Sequence, residues 1–160
     1  MSDLTIRPAV PDDAATIHAF IGALEEHVEA RGAVPATVED FRRDMFGDQP
    51  AAHADLLERD GVPIGLITWY PIYSTWLGRR GLYALDVYIA DNERGQGHGR
   101  RLLRHLAQRA HAMGGAFLKL DVDHTNEDAA AVYVRFGFKP SASDPYLLMG
   151  DAFTSMMQEA

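Results

Sequence analysis

Residues 86–109, from Asp86 to Arg109, read DVYIADNERGQGHGRRLLRHLAQR, and the succession of textures within them decides the fold. A β-favouring segment, Leu82 to Ile89, runs into the polar break Ala90-Asp91-Asn92-Glu93 and then into a loop with glycine at 95, 97 and 99. Leu102, Leu103, Leu106 and Ala110 follow at helical spacing and form one apolar stripe, with Arg100, Arg101, Arg104 and Arg109 largely outside it. Strand, glycine loop and helix in that order make an anion cradle. Glycine keeps Cβ atoms away, so the N–H groups and the macrodipole at the helix start converge on negative charge. Arginine at 94, 100 and 101 adds charge, and no Asp or Glu occurs from Arg94 to Leu120 in a chain of formal net charge -8. The stretch predicts a phosphorylated ligand.

Two familiar glycine fingerprints fail on this loop. G-x-G-x-x-G would end on Arg100 when counted from Gly95 and on Leu102 when counted from Gly97, and no Gly-Lys-Ser/Thr of a P-loop is present. Arg-x-x-Gly-x-Gly, Arg94 to Gly99, does fit. Opening a helix after a strand, it resembles the acyl-CoA pyrophosphate loop of the GNAT-type N-acetyltransferases.

Composition sets the outer bounds. A chain of 160 residues without a compositional break predicts one domain over 1–160 with room for a core. No stretch approaches the roughly 18 apolar residues of a membrane span, and Met-Ser-Asp running into an apparent strand predicts no signal peptide. The absence of cysteine excludes disulfides, thiolate metal sites and a cysteine nucleophile, and the cytoplasm is the expected compartment. The acidic balance argues against nucleic acid and agrees with a cationic substrate such as an amine.

In chain order, Leu4 to Arg7 reads as a first strand, and Asp12 and Asp13 stand where a helix cap belongs. Ile17, Phe20, Ile21, Leu24 and Val28 then share one helical face, with the carboxylates of Glu25, Glu26 and Glu29 on the opposite side and at the end; Gly32 and Pro35 stop the helix. Thr37 with Asp40 makes a capping box for a short helix ending at Gly47. Two strands, Ala54 to Glu58 and Val62 to Trp69, flank the turn Asp60-Gly61. A loop from Pro71 to Gly81 leads to the strand Leu82 to Ile89, completing an antiparallel meander. After the arginine-rich helix, stopped by Gly114-Gly115, come a strand from Phe117 to Val122, a helix from Asn126 to Phe136, a last strand from Tyr146 to Met149 and a terminal helical segment. The helical crossover makes strands 82–89 and 117–122 parallel neighbours.

Asn126-x-x-Ala129-x-x-x-Tyr133-x-x-Phe136-Gly137-Phe138 is similar to the second signature of the same GNAT family. Tyr73-Ser74-Thr75-Trp76-Leu77-Gly78-Arg79, Gly81-Leu82-Tyr83 with Asp86, and Phe46-Gly47-Asp48-Gln49-Pro50 resemble its spermidine/spermine N-acetyltransferase branch. The branch usually has Glu-Asp in the third strand where this chain has Leu85-Asp86, and tryptophan where it has Thr125.

The resemblance implies the α/β GNAT fold, a central mixed antiparallel and parallel sheet flanked by helices. It further implies acetylation by acetyl-CoA of a primary amine, polyamine-like or derived from an amino acid. Cofactor contacts fall on Val87, Tyr88, Ile89, Arg94, Gly95, Gln96, Gly97, His98, Gly99, Arg100, Asn126 and Tyr133. Tyr133 takes the part of general acid. Glu25, Glu26, Tyr73, Trp76 and Asp86 are the substrate candidates. For the base Asp86 stands first, although strand alternation puts it on the opposite face from Leu85; Asp121, Asp123, His124 and bulk water remain open. His98, His105 and His111 lack the i, i+4 pair of a helical metal site, so no metal is expected. A homodimer is implied by the resemblance, and Phe153, Met156 and Met157 suit burial against a partner or on their own domain. Two rival readings stand beside this one: acetylation of a protein N-terminus or lysine, and a CoA-binding sensory module without catalysis.

Overall fold

The structure, a computed structural model, describes residues 3–26, 35–143 and 145–158. It contains two compact units, Met1–Asn126 and Glu127–Ala160. In the first, β1 (Leu4–Pro8) leads through a single 3-10 turn (Pro11–Asp13) into α1 (Ala14–Glu26) and then α2 (Val38–Phe46). The meander β2 (His53–Arg59), β3 (Val62–Ser74) and β4 (Arg79–Ile89) follows, then a 3-10 turn (Asp91–Glu93), α3 (His98–Ala112) and β5 (Gly115–Leu120). The sheet order is β1-β2-β3-β4-β5, antiparallel except for the parallel pair β4 and β5 joined by the α3 crossover. The mixed sheet is the one the sequence implies.

Local chemistry explains the elements. Thr37 Oγ1 accepts the Asp40 N–H at 3.2 Å while Asp40 Oδ2 accepts the Thr37 N–H at 2.8 Å, so α2 opens on a reciprocal cap. Asp13 joins β1 to α1: its carboxylate accepts from Val10 N at 2.8 Å and from both terminal nitrogens of Arg7, at 2.6 and 3.0 Å, and the Arg7 guanidinium holds its pKa below the usual carboxylate range. Asp60 and Gly61 take φ of 51° and 79°, the left-handed pair of a two-residue hairpin turn.

The sheet carries helices on both faces. On one, Leu56, Leu66 and Tyr88 pack with Ile17 of α1 and Met45 of α2. Each such burial is worth roughly 1.5–3 kcal/mol relative to exposure. On the other, Asp55, 1% exposed, accepts from Trp69 Nε1 at 2.8 Å and from Arg109 of α3 at 2.7 Å.

Two expectations change. The 71–81 loop shrinks to four residues, because β3 runs on to Ser74 and β4 starts at Arg79. Pro71 is tolerated there because β2 pairs with β3 only as far as Trp69, leaving Pro71 an edge on which no N–H is needed. The run Tyr146 to Met149 is not a strand: among the described residues no strand pairs with it, and all four side chains are exposed. Finally, the expected end of α1, with Val28, Glu29 and Gly32, lies outside the described residues. The second unit holds α4 (Glu127–Arg135) and α5 (Gly150–Gln158). No helix among the described residues is long and apolar enough to cross a membrane.

Candidate active site

The centre of the site is an irregularity in β4. Thr68 pairs with Asp86 but Trp69 pairs with Ala84, so Leu85 is an extra residue with no partner across the ladder. A bulge of this kind reverses the alternation beyond it. Asp86 is thereby carried to the face that also holds Leu66 and Tyr88, and it lines the same cavity as Leu85, which corrects the expectation that the two residues face apart.

That cavity measures about 270 Å³. Ile21, Phe41, Met45 and Leu85 make apolar walls, and Asp86, Asp40 and Asp44 bring carboxylates to it. Thr68 Oγ1 donates to Asp86 Oδ2 at 2.6 Å and accepts the Asp86 N–H at 3.1 Å, fixing both the bulge and the rotamer. Burial pushes the Asp86 pKa up, against the lowering pull of the Thr68 hydroxyl. Asp40 and Asp44 are held low instead: the Thr37 hydroxyl acts first on Asp40 and the Arg43 guanidinium on Asp44. Of the three carboxylates, Asp86 alone is shifted toward a proton acceptor working near neutrality.

Two of the other candidate bases, Asp121 and Asp123, have structural engagements. Asp121 is hydrogen-bonded to Tyr83, whose phenol burial and that carboxylate push up. Asp123 Oδ1 accepts the Thr125 N–H at 2.9 Å and its hydroxyl at 2.7 Å. Glu25 is half-buried and Glu26 exposed at the end of α1, and neither lines the cavity. Tyr73 and Trp76 stand on the β3–β4 hairpin, 62% and 98% exposed, also outside it. Sequence reading missed Thr68, for which no local signal exists, and the placement of Asp40, whose capping role masked its second position.

The glycine loop fits a pyrophosphate. Gly95 and Gly97 adopt φ of 75° and 82°, and a Cβ at 95, 97 or 99 would meet nothing within 4 Å. Gly99 is the telling one: its backbone is ordinary and its space is open, so neither conformation nor packing within the described residues demands glycine. What it leaves at the start of α3 is open space. Arg94 and Arg100 are exposed beside the loop, Arg94 donating to Ile89 O at 3.0 Å and pairing with Asp91 at 2.9 Å. The His98 side chain is 6% exposed and turned inward, which leaves its main chain for ligand contact.

The strands add a second feature. Pairing of β4 with β5 stops at Ala84 and Leu120, immediately before the bulge, while the β3 edge stays paired to Ile89. Val87, Tyr88 and Ile89 therefore present one edge without a strand partner among the described residues, as the main-chain contacts of an acyl arm require.

The Acetyltransferase (GNAT) family profile matches residues 20–138, which span the bulge, the glycine loop and the second signature. This chain belongs to the GNAT acetyltransferase family. Among its relatives is the thialysine N-epsilon-acetyltransferase of Sus scrofa, 32% identical over 145 residues, or 86% of this chain and 85% of that protein. The L-methionine sulfoximine/L-methionine sulfone acetyltransferase of Pseudomonas aeruginosa is 30% identical over 134 residues, covering 78% and 77% of the two chains. In fold, an integron cassette protein from the mobile metagenome of V. cholerae superposes with a TM-score of 0.82 at 17% identity over 98% of each chain. The GNAT chain is thus an N-acetyltransferase.

In the second unit Tyr133 lies on α4, half-buried, its ring edge-on to Phe138 at 5.7 Å between centroids. Asn126 closes the preceding turn through its N–H to Asp123 O at 2.9 Å. Among the described residues no group of three metal-ligating side chains is gathered.

Proposed function

We propose that this chain acetylates a small primary amine, polyamine-like or derived from an amino acid, with acetyl-CoA as donor and by direct attack in a ternary complex. The observation that carries the reading is Asp86, turned by the Leu85 bulge into an apolar cavity and kept above the usual carboxylate range. At about 270 Å³ the cavity lies below the roughly 300–1,000 Å³ of drug-sized ligand sites, which favours a short amine over a peptide chain. The amino-acid amines named for two relatives agree with that size.

Acetyl-CoA supplies the acetyl group as a thioester open to attack by nitrogen. Arg94, the main chain from Gly95 to Gly99 and Arg100 hold its pyrophosphate, and the open edge of Val87 to Ile89 aligns the acyl arm. Asp86 takes a proton from the ammonium, directly or through one water, and releases the lone pair that attacks. The apolar Leu85 and Met45 walls lower the local dielectric, which strengthens the attraction between carboxylate and ammonium. Tyr133 Oη holds the proton that leaves with the sulfur; a phenol near pKa 10 can give it to a thiolate whose thiol lies near 8.5, slightly uphill. Orientation of both reactants in one cleft contributes several kcal/mol, and no covalent intermediate is needed. We also infer that the working form is a homodimer.

The test is thiol release from acetyl-CoA with thialysine, lysine analogues, spermidine, diamines, aminoglycosides and short peptides, run on wild type and on Tyr133→Phe. Selective turnover of one small-amine class, lost in the variant while CoA binding persists, is the expected result. CoA binding without turnover of any amine would make the chain a cofactor-binding module instead.

A further inference from the structure

Beneath the glycine loop lies a cluster of charged and polar side chains that the chemistry above does not use. Arg59, the last residue of β2, grips Glu93 with a two-pronged contact, Nε to Oε1 at 3.1 Å and Nη2 to Oε2 at 2.7 Å. Glu93 closes the 3-10 turn just before the loop and is 9% exposed. Both polar side chains that stand between the loop glycines turn back to it. Gln96 Nε2 donates to Glu93 Oε2 at 3.4 Å, and His98 Nε2 lies 3.4 Å from the same oxygen and 3.3 Å from Arg59 Nη2. The loop thus alternates, with glycines 95, 97 and 99 facing open space while residues 96 and 98 face Glu93.

We propose that Glu93, clamped by Arg59, is a positioning residue for the donor substrate: it orders the pyrophosphate loop before the ligand arrives. The inference rests on the acetyl-CoA reading above. A loop with three glycines in six residues loses more backbone freedom on ordering than one of ordinary residues. Fixing Gln96 to Glu93, and His98 to the Arg59 that Glu93 holds, meets that cost during folding, so binding does not repeat it. A carboxylate under an anion site would by itself repel phosphate. The Arg59 fork cancels that charge and delivers the anchor from a different strand, 34 residues away in sequence. Held this way, the anchored loop contributes to binding of the pyrophosphate and has no part in the acyl chemistry.

The experiment compares two donors, acetyl-CoA and S-acetylpantetheine, the second lacking the pyrophosphate. In Glu93→Gln the KM for acetyl-CoA should rise by roughly tenfold, with kcat at saturation and kcat/KM for S-acetylpantetheine unchanged. Arg59→Lys, which keeps the charge but loses the fork, should show the same selective loss by a smaller factor, and it carries the test if Glu93→Gln does not fold. Equal losses for both donors would make the cluster merely structural and overturn the proposal. So would unchanged or tighter acetyl-CoA use in Glu93→Gln, which would show Glu93 to act only as a repelling charge. Calorimetry with CoA on wild type separates the two readings: no binding at all overturns the acetyl-CoA reading itself, whereas normal wild-type binding with an indifferent variant overturns the loop proposal alone.

Discussion

Asp86 is where residue chemistry and function meet most closely. Burial raises its pKa, so the folded chain holds that proton more tightly than the unfolded one. Below the unfolded value of about 3.9 the group is protonated in both states and costs nothing. As pH rises through the raised folded value, the charged carboxylate destabilises the fold. Asp86→Asn should therefore match wild type in a urea titration at pH 3 and exceed it at pH 7. Turnover should move the other way, falling by about 10²–10⁴-fold, with the acid limb of the kcat/KM profile, which lies above the ordinary carboxylate range, lost. A variant that keeps both turnover and the limb would pass the base role to another group. Sequence made Asp86 a candidate by its place on the strand 82–89, the β4 of the structure. It could not give the face, because a bulge is a property of two strands in register: the unpaired Leu85 is visible only against Thr68 and Trp69.

At the scale of elements, α3 was the most legible because two independent signals agree on it. An apolar stripe demands burial, and a glycine-rich start demands space; Leu102, Leu103, Leu106 and Ala110 are indeed buried, and the glycines are open. Gly99 lets those two demands be measured apart. It lies in the first turn of α3 with a backbone any residue accepts, so Gly99→Ala should stabilise the helix by roughly 0.5–1 kcal/mol. The added methyl projects into the space read as the pyrophosphate site and should weaken CoA binding by about tenfold. Calorimetry and a melting curve on one sample check both signs, and a gain in stability without a loss of affinity would remove Gly99 from the cofactor site. Elements read from a single signal fared worse. Pro71 seemed to end a strand because a proline cannot donate, yet it sits where the neighbouring strand has already ended. Tyr146 to Met149 reads as a short apolar run and, by sequence, as a last strand, but a strand needs a paired edge.

For the molecule as a whole, that same segment is the strongest argument for association. Tyr146 and Leu147 are 98% and 83% exposed, and Met149, Phe153, Met156 and Met157 are each more than half exposed. Scattered apolar side chains are normal on a surface, but a run this dense in one short unit is the kind that a partner covers. Edges point the same way: among the described residues β5 ends the sheet order, and an unpaired edge strand is a standing template for another extended segment. A second copy of this chain supplies both elements at once, since a twofold pair places the same surface on each side. Sedimentation velocity at micromolar concentration should show a dimer, and Leu147→Glu, which sets a charge in the middle of the apolar run, should shift it to monomer with little change in melting temperature. Were wild type already monomeric and the variant markedly less stable, the covering surface would belong to the chain's own fold. The two outcomes differ because burying a new carboxylate within one chain destabilises folding at every concentration, whereas at an interface the loss depends on concentration and disappears for the isolated protomer.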